Sequence, residues 1–338
     1  MAKRLLLHAG MHKTGSSSIQ VFLNGADLQN ATYLQWSKPN HSILFVTLFA
    51  DEPEIHWVFR QQGVSPEEIA RERARLQLDL REQITASPQE TVLFSAERIY
   101  GASREDLQHC KAFFAPLFDE ISLYCYMREP LSFAASMLQQ RLKTGGVIPG
   151  PKALLPNFRR KVSNMDRVFG AENVKTRLFK DPQRPQQNVV ADFCDWTGVR
   201  TATPAALEVN RSLSAEATAL LYLFRKYSGF SLSSQQAVAA SRQLVKVLMK
   251  LPGQRLALTP SFFGGETEAI EADRDWMEQR MAARFVTMSP GQAVCLGSFD
   301  DLEAFGREVF QQRSGHPFNE DDWAGNVMKP KRFLAALN

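Results

Sequence analysis

The chain has 338 residues, of which 44% are hydrophobic and 22% charged, with a formal net charge of +4 and a pI near 8.9. That is the composition of a soluble globular protein long enough to bury a large core. Lysines and arginines are mixed with acids, as from Arg71 to Arg75 around Glu72, which excludes the concentrated cationic stripe of a nucleic-acid binder and suits a small anionic ligand better.

The N-terminus, MAKRLLLHAG, begins like a signal peptide, but its apolar stretch is only a few residues long and runs into a Gly-rich segment, so Arg4 to His8 is predicted as a buried strand. A helix is predicted from Ser16 to Leu23. The longest other apolar run, Ser42 to Ala50, is under half of the roughly 20 residues needed to cross a bilayer; no transmembrane segment is expected. Pro66 to Ile84 has helical spacing, with Ile69, Leu76, Leu80 and Ile84 on one face and charge on the other. Further strands are predicted at Thr91 to Ser95, Ile121 to Met127 and, more weakly patterned, Val174 to Phe179. Helical spacing recurs at Arg104 to Phe114, Pro130 to Lys143 and Leu155 to Phe169. Alternation of strand and helix predicts an α/β fold with a P-loop-like parallel sheet flanked by helices.

After Asp195 the pattern becomes helical, at Ser214 to Tyr227, Ser233 to Leu251 and Glu266 to Phe285, each opened by a residue suited to capping. No strand is expected there. The division expected is residues 1–213 as a core of alternating strands and helices and residues 214–338 as a helical region packed on it. The cysteines, Cys110, Cys125, Cys194 and Cys295, are far apart without metal-ligand spacing, so no metal is expected and a cytoplasmic location is.

The most informative stretch is Gly10 to Gln20, GMHKTGSSSIQ, placed directly after the first strand and opening a helix. Gly10 and Gly15 allow a tight turn, the N–H groups of Gly15, Ser16, Ser17 and Ser18 face an anion from a helix N-terminus, and Lys13 and Thr14 add a cation and a hydroxyl. The common nucleoside-triphosphate loop places its lysine after the second glycine, whereas Lys13 precedes Gly15. The run from Lys13 to Ser17 resembles the 5′-phosphosulfate loop of sulfotransferases that use 3′-phosphoadenosine 5′-phosphosulfate, including bacterial members related to the carbohydrate enzymes. His12 stands where that family usually has proline.

That resemblance implies further assignments. Arg128, Pro130 and Ser136 match the family's 3′-phosphate motif, an arginine at a strand end followed by a proline and a later serine. Glu97, after the second long strand in Ser95-Ala96-Glu97, is the expected catalytic base, with His12 a rival base or a ligand of the leaving group; Glu97 could instead pair with Arg98. The segment Val209 to Ser214 resembles an Asn-x-Ser-Leu stretch of bacterial relatives, so Arg211 and Ser212 either reach the 3′-phosphate or form part of a helix cap. The implied reaction moves a sulfuryl group from the nucleotide co-substrate to a hydroxyl or amine of a small-molecule or glycan acceptor. Trp36, Trp57 and Phe59 could stack on a sugar or pack on the sheet. An ATP-dependent small-molecule kinase of the same fold and a non-catalytic nucleotide-binding protein are the alternatives.

Overall fold

The apolar runs read as strands assemble into one parallel sheet, in a computed structural model that describes residues 3–145, 147–180, 188–204, 212–229, 235–286, 293–321 and 329–337. In chain order the elements are β1 (Arg4–Gly10), α1 (Ser16–Gly25), β2 (Ala31–Tyr33), α2 (Ser42–Phe49), α3 (Trp57–Gln62), α4 (Pro66–Ala86), β3 (Thr91–Ser95), α5 (Arg104–Phe114), β4 (Glu120–Met127), α6 (Pro130–Thr144), α7 (Phe158–Phe169), β5 (Val174–Leu178) and α8 (Val189–Thr197). There follow α9 (Ala215–Tyr227), α10 (Gln235–Leu248), β6 (Arg255–Leu258), α11 (Thr267–Met281), β7 (Ala293–Leu296), α12 (Phe299–Ser314) and α13 (Lys329–Ala336). The chain forms two compact units, neither continuous in sequence. The first is Met1–Arg128, Asn157–Val209 and Trp276–Phe285; the second is Glu129–Pro156, Asn210–Asp275 and Val286–Asn338.

The first unit is built on a five-stranded parallel sheet of order β2-β3-β1-β4-β5. Its central strands are largely apolar because helices cover both faces. Successive side chains alternate between faces. Leu6 joins Ile19 and Leu23 of α1 and Val190 and Phe193 of α8 in one core cluster, while Phe94 of β3 packs edge-on against Phe114 of α5, which in turn meets Phe49 of α2. Residues 44–49 of α2 are all buried. A helix buried all round has no polar face, so its sequence shows no helical period. By contrast α4 carries the expected four-residue apolar stripe, Ile69, Leu76, Leu80 and Ile84, and starts at a capping box between Ser65 and Glu68.

The second unit is mainly helical. Residues 215–224 of α9 are all buried, and Gln139 of α6 ties into it, donating to the Leu213 carbonyl at 2.9 Å and to Thr218 Oγ1 at 3.1 Å. The expectation of helices alone is corrected by β6 and β7, which pair in parallel from Arg255↔Ala293 to Leu258↔Leu296. At four residues each, they are too short for a period-two pattern to register. No described helix is long and apolar enough to cross a membrane.

Candidate active site

In a sheet of this order the chain leaves β1 toward β2 on one side, and leaves β4, the neighbour of β1, toward β5 on the other. Ligand crevices in open parallel sheets lie beyond the C-terminal ends of the strands where such connections diverge. Here that place is the rim shared by β1, β3 and β4. The β1–β4 register is irregular between His8 and Gly10, and the backbone then folds into a tight loop with φ of 93° at Gly10, 66° at Lys13 and 80° at Gly15. Gly15 is required twice over. It caps α1 in the left-handed conformation, and a Cβ there would lie 2.7 Å from Cγ1 of Val189, the first residue of α8. Lys13 pays the steric cost of that region without being glycine, about 1–2 kcal/mol, a strain that collects at ligand loops.

The loop is fastened from inside. Thr14 Oγ1 donates to the Met11 carbonyl at 2.6 Å and Ser16 Oγ donates to the same oxygen at 3.2 Å. Both side chains are buried: Thr14 directs its proton at the loop backbone, and Ser16 shares its own between that carbonyl and the Glu97 carboxylate. The Ser18 N–H bonds the Gly15 carbonyl at 3.0 Å, leaving Gly15, Ser16 and Ser17 as the N–H groups of the open helix end. Arg128, at the end of β4, donates to the Lys13 carbonyl at 2.7 Å and lies 5.7 Å from the Phe179 ring centre. The Lys13 ammonium pKa is lowered, first by burial and then by Arg128, against an opposing pull from Glu97. Such a cation gains from an anion that replaces lost water.

Glu97 meets this loop from β3. His12 Nδ1 stands 2.9 Å from Glu97 Oε2, with the Glu97 side chain 16% exposed and that of His12 46% exposed. Burial pushes the Glu97 carboxyl up, but hydrogen bonds from His12 and Ser16 and the nearby imidazoles outweigh it, so the pKa falls below its ordinary value. An ionised carboxylate only accepts hydrogen bonds, so His12 Nδ1 carries a proton toward Glu97, and in the neutral form of that ring Nε2 is the lone-pair atom.

Beneath the pair lies a buried polar chain. His8 Nδ1 is 2.7 Å from Ser95 Oγ, and the Ser95 N–H donates to His41 Nδ1 at 3.2 Å. Burial holds both imidazoles near pKa 4, hence neutral, with Glu97 opposing at His8 and a Leu34 backbone hydrogen bond opposing at His41. His41 and Val189 went unmarked in the sequence, where a histidine in a polar loop and a valine at a helix start carry no signal.

No protein family and no curated protein matches the sequence. Among solved structures, the chain is similar to a sulfotransferase from Alicyclobacillus acidocaldarius at 16% identity and TM-score 0.42, over 73% of this chain and 97% of that one. It is also similar to the sulfotransferase domain of the Synechococcus PCC 7002 olefin synthase at 16% identity and TM-score 0.36, over 74% of this chain and 95% of that one.

His12, Lys13, Thr14, Gly15, Ser16, Glu97 and Arg128 thus gather at one rim of the first unit, with Ser17 exposed beside them. Ser136 is buried on α6 and Ser212 is exposed, both in the second unit. Arg211 lies outside the described residues. Among the described residues no group of His, Cys, Asp and Glu is arranged to hold a metal ion.

Proposed function

We propose that the chain is a sulfotransferase that binds 3′-phosphoadenosine 5′-phosphosulfate at the Gly10–Gly15 loop and passes its sulfuryl group to a hydroxyl or amine of a small-molecule or glycan acceptor. The observation that carries the reading is the Lys13 loop, braced by Arg128 and facing the His12–Glu97 pair at the end of β1. The donor supplies a sulfur centre whose bond to the 5′-phosphate oxygen breaks as the acceptor attacks in line. The chain's own part is to place charge and to take a proton. The Lys13 ammonium and the N–H groups of Gly15, Ser16 and Ser17 face the negative charge that grows on the departing phosphate. Arg128 supports Lys13 through its carbonyl and faces the 3′-phosphate.

Proton removal falls to the pair. The ionised Glu97 fixes the imidazole with Nδ1 as donor, and His12 Nε2 accepts the acceptor's proton, so the two act as one unit. The roles of Ser136, Arg211 and Ser212 toward the 3′-phosphate rest on the sequence resemblance.

Thermal unfolding of the purified chain with 3′-phosphoadenosine 5′-phosphate, beside ATP with magnesium, tests the donor. A ligand at about 100 times its dissociation constant stabilises by about 2.7 kcal/mol, and that shift is expected for the 3′-phosphorylated nucleotide alone, lost in Lys13→Ala and Arg128→Ala. A shift with ATP instead favours the kinase reading. A shift with neither removes both. In turnover, Lys13→Ala is expected to lose about two to three decades of rate, the worth of one well-placed donor.

A further inference from the structure

Next to Glu97 in the chain stands a cation with no ion-pair partner among the described residues. Arg98 follows Glu97, and its N–H donates to Ser42 Oγ at 3.3 Å, fixing the backbone at the end of β3. Its Nε is buried without a hydrogen-bond partner. No carboxylate lies within ion-pair distance of its guanidinium among the described residues, although Asp51, Glu52 and Glu54 lie in the loop before α3. Leaving a buried donor unmet costs about 1–3 kcal/mol, more when it is charged, so such a group signals a missing acceptor.

His56 shares the place. Its pKa is lowered, first by burial and then by the charge of Arg98, which puts the two side chains within each other's field. His56 Nδ1 accepts the Val58 N–H at 3.4 Å, so in the neutral ring the proton is on Nε2 and that atom is a donor. The Trp57 ring centre is 6.0 Å from that of His56, and Trp57 and Ile55 are 66% and 63% exposed. Large apolar side chains this open beside unpaired donors mark a binding face rather than a solvated loop.

We propose that Arg98, His56 and Trp57 form the acceptor subsite, and that the acceptor carries an oxyanionic group on a ring that lies against Trp57. The proposal rests on the sulfotransferase reading for the word acceptor, and on Arg98 and His56 alone for the anion. Oxyanion recognition suits the arginine fork and the imidazole N–H. The donor's own phosphates are met by Lys13 and Arg128, on the β1 and β4 side, whereas Arg98 extends from β3 beside α2. Arg98 directly follows Glu97 in the chain, so a ring held at Arg98 lies one residue along the backbone from the pair.

The test is calorimetric titration of the full chain with para-nitrophenyl β-glucuronide and para-nitrophenyl β-glucoside, which differ by a carboxylate in place of a hydroxymethyl group. Each is titrated with and without saturating 3′-phosphoadenosine 5′-phosphate. The glucuronide is expected to bind at least about tenfold more tightly, or about 1.4 kcal/mol. Arg98→Ala and Arg98→Gln should erase the preference, and Trp57→Ala should weaken both sugars alike. Nucleotide affinity measured on each variant shows that it is folded. Equal binding of the two sugars, binding of neither, or a preference that survives in both Arg98 variants overturns the proposal. Absence of nucleotide binding with the glucuronide preference intact overturns the donor reading instead and leaves the anion subsite standing.

Discussion

At the scale of single residues, the loop tolerates little change. Gly15→Ala places a methyl group into Val189 and forces an unfavourable φ, so the variant is expected to lose more than about 1 kcal/mol of stability and most nucleotide affinity, both read from thermal unfolding with and without ligand. The buried imidazoles make a pH prediction. His8 and His41 have folded pKa values near 4 against an ordinary 6.5, so between those values the unfolded chain binds more protons than the folded one. Stability therefore falls as pH drops from about 6.5 to 4, by up to about 3 kcal/mol for each histidine. Glu97, held below its ordinary 4.5, adds to the loss only at the acid end. Melting temperatures from pH 7.5 to 4.5 should show this slope, reduced in a His8→Gln, His41→Gln double variant; an unchanged slope would place the protons elsewhere. The glycines, Lys13 and Glu97 were legible because each stands at the end of an apolar strand. The inward turn of Thr14 and Ser16 was not, since a hydroxyl in the sequence says nothing of where its proton goes.

Elements hold the rim in place through a few polar ties. Asp192 of α8 accepts from Tyr126 of β4 at 2.5 Å and from Arg177 of β5 at 3.1 Å, and Arg177 also lies 4.7 Å from the Trp196 ring centre. Asp192→Ala leaves a half-buried arginine and a buried phenol without their acceptor, and is expected to cost about 3 kcal/mol in denaturant unfolding. Tyr126→Phe, which removes a donor rather than the acceptor, should cost less. These ties join strands and helix across 66 and 15 residues of sequence, a separation at which local pattern carries no information. What local pattern does carry is the element itself: α5 was expected and found at Arg104 to Phe114, whereas β2, three residues long, and the wholly buried α2 leave no periodic trace.

At the scale of the molecule, the second unit depends on the close approach of α9 and α12. A Cβ on Gly306 would lie 2.9 Å from the Ala219 carbonyl oxygen and 3.0 Å from Leu223 Cγ. Gly306→Ala is expected to destabilise by about 1–3 kcal/mol through overpacking, seen as a lower denaturant midpoint; a neutral outcome would mean that α12 can move aside. The division of the chain also belongs to this scale, since segments far apart in sequence share each unit. Asp166 of α7 binds both Nε and NH2 of Arg280 near the end of α11, at 2.9 and 2.8 Å. By itself the sequence determined the strands and helices with strong periodicity, the parallel sheet they imply, and the tight glycine turn between β1 and α1, because these follow from neighbouring residues and backbone chemistry. Only the tertiary structure decided that Arg128 braces Lys13, that His12 and Glu97 pair so that the carboxylate stays ionised, and that Arg98 has no counter-charge among the described residues. Each of those depends on distance and dielectric between residues that the chain keeps far apart until it folds.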